Sequence, residues 1–421
     1  MTQLRVLVVG ASIAGPMAAY WLAKAGARVT VIERFPRLRT SGQAIDLRTT
    51  GVTVMRKIPG MEAAVRAKTT QMEGMSLVRD DGRSYGTIRA TGNPDRQSLL
   101  SEYEIFRGDL AQILFDLSKD NENVQYVFGE QIASMQQNED ANRTIKVEFA
   151  NGLPTSEYDL VVACDGATSR TRVMGFGGSV RDYIDPINSW AAFFSIEQDL
   201  IKRSKVGHGY SAVGGRFLAI NNDPVGGNRV LLMNIHPRDK HDVTLPFREA
   251  MEQGEQALKR FIAQQYKGAG WKTEEVMAAM IDSSDFYANE MVQVKVPSLH
   301  KGRVVLVGDA GYATGPTGTG TTLAMTGAYV LAGEVGKHKG DLAAGLKGYE
   351  ERMRPVIDDM QKIPPMVLGI AAPQTAWGIW LRNNIFTFIA WTNILEYAQK
   401  FFGGSAAGTG KYNLPDYAWV A

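Results

Sequence analysis

Residues 4 to 33 confine this chain to a narrow set of folds. Leu4-Arg5-Val6-Leu7-Val8-Val9 is a short, β-branched apolar run stopped by Gly10, the pattern of a strand buried in a parallel sheet. Gly10-Ala11-Ser12-Ile13-Ala14-Gly15 follows, then a helical stretch, then a second strand, Val29-Thr30-Val31-Ile32, which ends at Glu33, 18 residues after Gly15. The spacing is G-x-G-x-x-G with serine in the middle place. Gly10 permits a tight turn out of the strand, and Gly15 lets the helix lie close to the sheet. The free N–H groups at the helix start then face an anion such as a pyrophosphate. A carboxylate at the end of the second strand is placed to accept hydrogen bonds from ribose hydroxyls.

Two further strand ends carry the same pairing of glycine and aspartate. Tyr158 to Ala163 is a short apolar strand running into Cys164-Asp165-Gly166, and Arg303 to Val307 runs into Gly308-Asp309. The second of these leads through Pro316-Thr317-Gly318-Thr319-Gly320-Thr321 into a helix of small residues, so another helix N-terminus meets a glycine-rich loop. An Asp-Gly turn alone is common. Three such sites in one α/β pattern are not.

Between them the pattern changes. Leu77-Val78 and Ser84 to Arg89 flank an Asp80-Asp81-Gly82 turn, and Ile105 to Leu117 has helical spacing. Strands are expected at Trp190 to Ile196, Gly209 to Ile220 and Arg229 to Ile235, with helices from 247 to 282. The expected fold is α/β: a Rossmann-like dinucleotide-binding domain (1–73, 104–180 and 286–335) with an inserted, mostly antiparallel sheet (74–103 and 181–285) and a C-terminal helical region (336–421).

Composition excludes several functions. Lys+Arg is 46 against 44 Asp+Glu, which gives no clustered charge for nucleic acid. One cysteine, Cys164, and five scattered histidines leave no disulfide and no metal site. The N-terminus does not read as a targeting segment. The apolar stretch 366–402, with Trp377, Trp380, Phe386, Phe388, Trp391, Phe401 and Phe402, is interrupted by Pro373, Arg382 and Asn383. It is too broken for the roughly 20 residues of a transmembrane span. A packed helix pair is expected there, with weak membrane association as the alternative, and the location expected is cytoplasmic.

The ordered set of strand-GxSxxG-helix-strand-Glu, Arg107-Gly108-Asp109-Leu110, Asp165-Gly166 and Gly308-Asp309 resembles the group A FAD-dependent monooxygenases, the aromatic hydroxylases of the para-hydroxybenzoate hydroxylase type. The Ser41-Gly42-Gln43-Ala44-Ile45-Asp46-Leu47 segment and the C-terminal helix are similar to the tetracycline-destructase branch. The resemblance implies FAD as cofactor, with NADPH or NADH as a transient co-substrate. Gly10, Ser12, Ile13, Ala14 and Gly15 would then hold the pyrophosphate, Glu33 the adenosine ribose, and Arg107 the diphosphate charge, with Arg34 also binding the cofactor. Asp309, after Gly308, would bind the ribityl chain. Asp165 and Gly166 would lie near the diphosphate and nicotinamide path, Pro316, Gly318, Thr319, Gly320 and Thr321 beside the isoalloxazine, and Gln43 would also bind the cofactor. The sequence departs from the family pattern at Ser12, where glycine is usual, and in a loop after Asp309 that is one residue short.

The reaction implied is insertion of one oxygen atom from O2, through a flavin C4a-hydroperoxide, into an apolar, electron-rich small molecule: aromatic, phenolic or enolic. The same scaffold also serves Baeyer–Villiger insertion, epoxidation and flavin oxidation or dehydrogenation. An NAD-dependent Rossmann dehydrogenase would account for the first loop but not for Arg107 or Asp309, and a non-catalytic flavin-binding protein is a third class. For the substrate pocket, strand alternation places Leu232, Asn234 and His236 on one face. That face, with His208 and Tyr210 and with Pro316 from the loop, is the expected wall, and His236 or Tyr210 the expected group polarising a substrate hydroxyl.

Overall fold

The computed structural model describes residues 3–39, 42–70, 72–89, 102–137, 144–240, 242–392 and 412–420. The opening strand, Arg5–Val9, lies inside a six-stranded sheet. Arg28–Glu33 and then Val124–Phe128 continue it on one side, and Leu160–Ala163 and Val304–Leu306 on the other, all parallel, with the short antiparallel edge His300–Lys301 outermost. These strands read as unbroken apolar runs because both faces are covered. Val6, Val8, Val31 and Val162 pack under the helices Ala14–Lys24 and Gly320–Lys337, while Leu7, Val161 and Val304 pack on a small sheet of Ile132–Gln137, Ile145–Phe149 and Ser156–Tyr158.

The chain leaves Arg5–Val9 toward one neighbour and comes back on the other side. A crevice therefore opens at the carboxyl ends of the central strands, where Gly10 sits. Gly10 has φ +106°, and a Cβ there would lie 2.6 Å from the carbonyl oxygen of Cys164. At Gly15 a Cβ would lie 1.8 Å from the Gly10 oxygen, so the helix can rest on its own turn only with glycine at that position.

The second sheet has seven strands, in the order Tyr287–Val294, Ile184–Ile196, Asn228–Ile235, Arg216–Asn222, Val206–Ala212, Gly74–Val78 and Ser84–Arg89. Every neighbour is antiparallel except the pair Val206–Ala212 and Gly74–Val78. The expected single strand Gly209 to Ile220 is two, folded at Gly214-Gly215, both of positive φ. Tyr287–Val294 pairs along Ile184–Ile196, so it belongs to this sheet rather than to the nucleotide-binding layer, as its place after residue 286 had suggested. One face of the sheet is sealed by the helices Leu245–Glu252, Glu255–Tyr266 and Thr273–Asp282. There Trp190 stacks on Phe247 with ring centroids 5.2 Å apart. Lys259 lies inside this layer, 1% exposed, with its ammonium donating to the carbonyls of Ile281 and Ser283. It is a buried C-terminal cap for Thr273–Asp282.

In the C-terminal region Leu342–Met360 packs along Gly320–Lys337. Ala376–Thr392 lies against Ser84–Arg89, and Arg382 donates to Ser211 Oγ at 2.7 Å. The outer side of this last helix keeps Trp377 and Trp391 exposed, at 68% and 80%, so only one of its faces is packed. No described helix is long and apolar enough to cross a membrane. Phe401 and Phe402 lie outside the described residues. Residues 412–420 return to the first layer, where Trp419 packs on Trp21 and Tyr329, and the Val420 N–H donates to the Lys24 carbonyl at 3.0 Å.

Candidate active site

The crevice is built first from main chain. The Gly10 N–H donates to the Ile32 carbonyl, which pins the turn to the second strand. Glu33 accepts from the N–H of Ala11 at 2.9 Å and of Phe35 at 3.0 Å, so it shapes the loop as well as offering its remaining lone pairs outward. Ile13 caps the helix Ala14–Lys24 with no side-chain hydrogen bond, and no acidic residue stands in its first turn. The N-terminus of that helix is open to an anion. The serine in the middle of the motif positions a cation. Arg107 donates to Ser12 Oγ at 2.7 Å, which holds the guanidinium over the loop. The Arg107 N–H donates to the Gln43 carbonyl, and at Gly42 a Cβ would come within 3.2 Å of the Arg107 side chain, so the 42–46 segment presses directly on it. Arg34 lies over the Phe35 ring, and Arg39 over both Phe35 and Tyr287.

Asp309 closes the other side. Burial raises its carboxyl above the usual range, partly offset by Arg107. The residue is nevertheless exposed to solvent. A Cβ on Gly308 would sit 3.0 Å from Ala14, so the two glycine turns touch across the crevice. From here the chain runs through Pro316 and the exposed Gly318 to Thr319, the uncapped start of Gly320–Lys337, with Thr321 in its first turn. The loop is anchored from behind. Gln293 Nε2 donates to the Thr314 and Gln361 carbonyls, and Gln361 Nε2 to those of Val294 and Ala313. An uncapped helix start on each side, an arginine over the loop, an open carboxylate and the enclosed, unpartnered Gln43 Oε1 fit a dinucleotide with a polar ring.

Asp165 has a different occupation from the one expected. It accepts from Ser169 Oγ and from the Thr171 N–H and hydroxyl, capping the helix Arg170–Phe176 beside the crevice. Gly166, at φ +87°, supplies the turn. Arg172, fully buried, was not singled out by the sequence, yet it donates to the carbonyls of Ala310, Ala167 and Val180 and so ties the second Asp-Gly site to the third. Cys164 is buried beneath, its thiol pushed well up by burial and by Asp165.

The strand residues of the expected pocket wall lie mostly on the helix-covered side of the sheet. Leu232 belongs to the core under the three helices, and Asn234, 2% exposed, is paired on the same face with Trp190. Tyr210 points there too, donating to Asp80 and to the Ala269 carbonyl, with its phenol pushed up by burial and by Asp80. His208 packs toward Trp271, and His236 lies past the strand end, its N–H donating to Asn188; burial lowers both imidazoles. A one-residue change of parity exchanges the two faces. The side facing the crevice carries Phe193, Phe217, Leu231, Met233 and Met291, all partly exposed. Its orientation is fixed by Tyr287, stacked on Phe193 and lying under Arg107 and Arg39, and by Arg229, whose guanidinium lies 4.7 Å over the Phe106 ring.

Opposite that apolar face runs a two-stranded ribbon of Ala44–Asp46 and Glu104–Phe106. Ile45 and Ile105 turn into the core, so Phe106, Asp46 and Glu104 point the other way. Asp46 is paired with Arg48 at 2.8 Å, and Glu104 accepts from Thr70 Oγ1 at 2.6 Å.

A doubly wound dinucleotide layer facing an apolar antiparallel sheet is the build of a flavin-dependent oxygenase. The chain belongs to the FAD binding domain family, whose model matches residues 3–362, and within it to the group A flavin monooxygenases. It is 33% identical to the FAD-dependent monooxygenase asL4 of Sarocladium schorii, with 99% of both chains covered. It is 32% identical to the monooxygenase CTB7 of Cercospora beticola, covering 98% of this chain and 97% of that one. The tetracycline destructase Tet(51) superposes with a TM-score of 0.77 at 26% identity, over 99% of this chain and 100% of that one. Klebsiella pneumoniae HpxO, solved with FAD, shares the fold at 20% identity, a TM-score of 0.69 and coverage of 96% of this chain and 100% of that one. The enzyme is an FAD-dependent monooxygenase.

Proposed function

We propose that this enzyme takes electrons from NADPH or NADH and adds one oxygen atom from O2 to an apolar, electron-rich small molecule held between the dinucleotide crevice and the seven-stranded sheet. The observation that carries the reading is the sheet's free face. Five large apolar side chains stay partly exposed opposite the crevice, while the other face is sealed by helices. Bound FAD would supply the redox chemistry, accepting a hydride and activating O2. The protein's part is orientation and exclusion of water. Arg107 and the uncapped start of Ala14–Lys24 would hold the diphosphate, and Asp309 the sugar-alcohol chain. The N–H groups at the start of Gly320–Lys337 would favour negative charge on the reduced ring. Phe193, Phe217, Leu231 and Met233 would keep the reacting centre dry.

The purified protein is expected to be yellow and to release FAD on denaturation, and Asp309→Ala and Arg107→Ala are expected to weaken FAD binding at least tenfold. A substrate panel scored by stimulated NAD(P)H oxidation, with mass spectrometry for a gain of one oxygen, tests the activity. Full FAD retention in both variants would place the cofactor elsewhere.

A further inference from the structure

One ionisable group near the apolar face has no role in holding the dinucleotide. The ribbon register sets Glu104 directly across from Asp46, two like charges side by side. Asp46 has its cation in Arg48. Glu104 has none: Oε2 takes the Thr70 hydroxyl, and Oε1 has no hydrogen-bond partner among the described residues. Phe106, two residues on and on the same side, lies under Arg229 of the sheet. Met72, two residues after Thr70, reaches the sheet at Gly207, where its sulfur would touch a Cβ at 3.4 Å. Glu104 therefore stands between two points at which the ribbon side meets the substrate-facing side of the sheet.

We propose that Glu104 is the proton acceptor for the substrate, so that the substrate class is a phenol or enol whose hydroxyl lies against this carboxylate. Resting on the monooxygenase reading, the step balances in atoms and electrons. The enol or phenol carbon attacks the activated oxygen, and a new C–O bond forms as the O–O bond of the O2-derived oxidant breaks; the second oxygen leaves with that bond's electron pair and ends as water once protonated. The hydroxyl oxygen supplies the electron pair as its O–H bond breaks, and that proton passes to Glu104. The oxidant is the O2-derived oxygen that the monooxygenase activity provides. Electrostatics support the assignment. Burial first, then the Asp46 charge, raise the Glu104 carboxyl to about 7, against the pull of Thr70 and Arg48. A base with a pKa near the working pH is suited to moving a proton both ways. The charged groups acting on it are Asp46 and Arg48 on the ribbon segment; on the sheet, Arg229 lies over the Phe106 ring and is paired with Asp223 and Asp285.

The test uses the FAD-loaded enzyme and two probes, 1-naphthol and its O-methyl ether 1-methoxynaphthalene, with binding read from the flavin absorbance. Above the Glu104 pKa the wild type is expected to bind the naphthol about tenfold or more tightly than the ether, with a smaller preference below it. Glu104→Gln is expected to lose the pH-dependent preference. Asp46→Asn, which leaves Glu104 in place, is expected to move its onset to lower pH, a shift that a structural role would not produce. Equal binding of both probes by the wild type at every pH, or an unchanged pH-dependent preference in Glu104→Gln, overturns the proposal. A colourless wild type would instead overturn the reading of the site as a flavin site.

Discussion

At the scale of single residues, the site combines groups that local sequence explains with groups that it does not. Gly10 and Gly15 are required by contacts a few residues away, at the turn they form, and the sequence spacing is enough to see them. Ser12 was a departure from pattern; its bond to Arg107, 95 positions on, shows what the hydroxyl does. Glu104 was invisible in the sequence because its charge state depends on Asp46 and Thr70, brought together only by strand pairing. It should also cost stability. Its carboxyl sits near 7 in the fold against 4.5 when unfolded, so folding disfavours the ionised form. The fold then loses stability as pH rises from 4.5 through 7, by on the order of 3 kcal/mol at most. Glu104→Gln is therefore expected to raise the urea midpoint at pH well above 7 and to leave it nearly unchanged below 4.5. A midpoint equally changed at both extremes would contradict this.

At the scale of elements, strands and helices were legible but their faces were not. Asn228–Ile235 alternates Val230 and Leu232 with Leu231 and Met233, so both faces are apolar and period-two patterning cannot say which is buried. The deciding partners are three helices that come later in the chain. Tyr210 and Met233 test the corrected assignment. Tyr210→Phe is expected to leave turnover within about twofold, since its hydroxyl serves Asp80 and Ala269 on the far side. Met233→Asp, which puts a carboxylate on the crevice side of the sheet, is expected to lower product formation at least tenfold while FAD is retained. The reverse ranking in a product assay would restore the original parity. Arg172 was hidden for a related reason, because its acceptor at Ala310 lies 138 positions away.

At the scale of the whole molecule, the nucleotide layer is assembled from distant pieces of chain, and the last of them is the 412–420 segment. Tyr417 packs against Tyr329 with its ring tilted and donates to Glu334 at 2.8 Å, and Lys57 pairs with Asp416. This strap joins the two helices whose uncapped starts face the crevice. Trp419→Ala, which removes a partly buried ring, is expected to destabilise the protein by about 2 kcal/mol and to speed FAD release, measured by thermal unfolding and by flavin fluorescence. An unchanged unfolding temperature would show the strap to be ornamental.

The same arrangement sets an order of events during synthesis. The first strand and glycine turn leave the ribosome early, but their neighbour at Val304–Leu306 arrives about 300 residues later and Trp419 more than 100 after that. The seven-stranded sheet, complete once Tyr287–Val294 has emerged, can close before the layer that begins the chain. Cofactor loading is therefore expected to follow synthesis of Gly320–Lys337, and a ribosome stalled before Val304 would carry a finished substrate wall and an unfinished cradle.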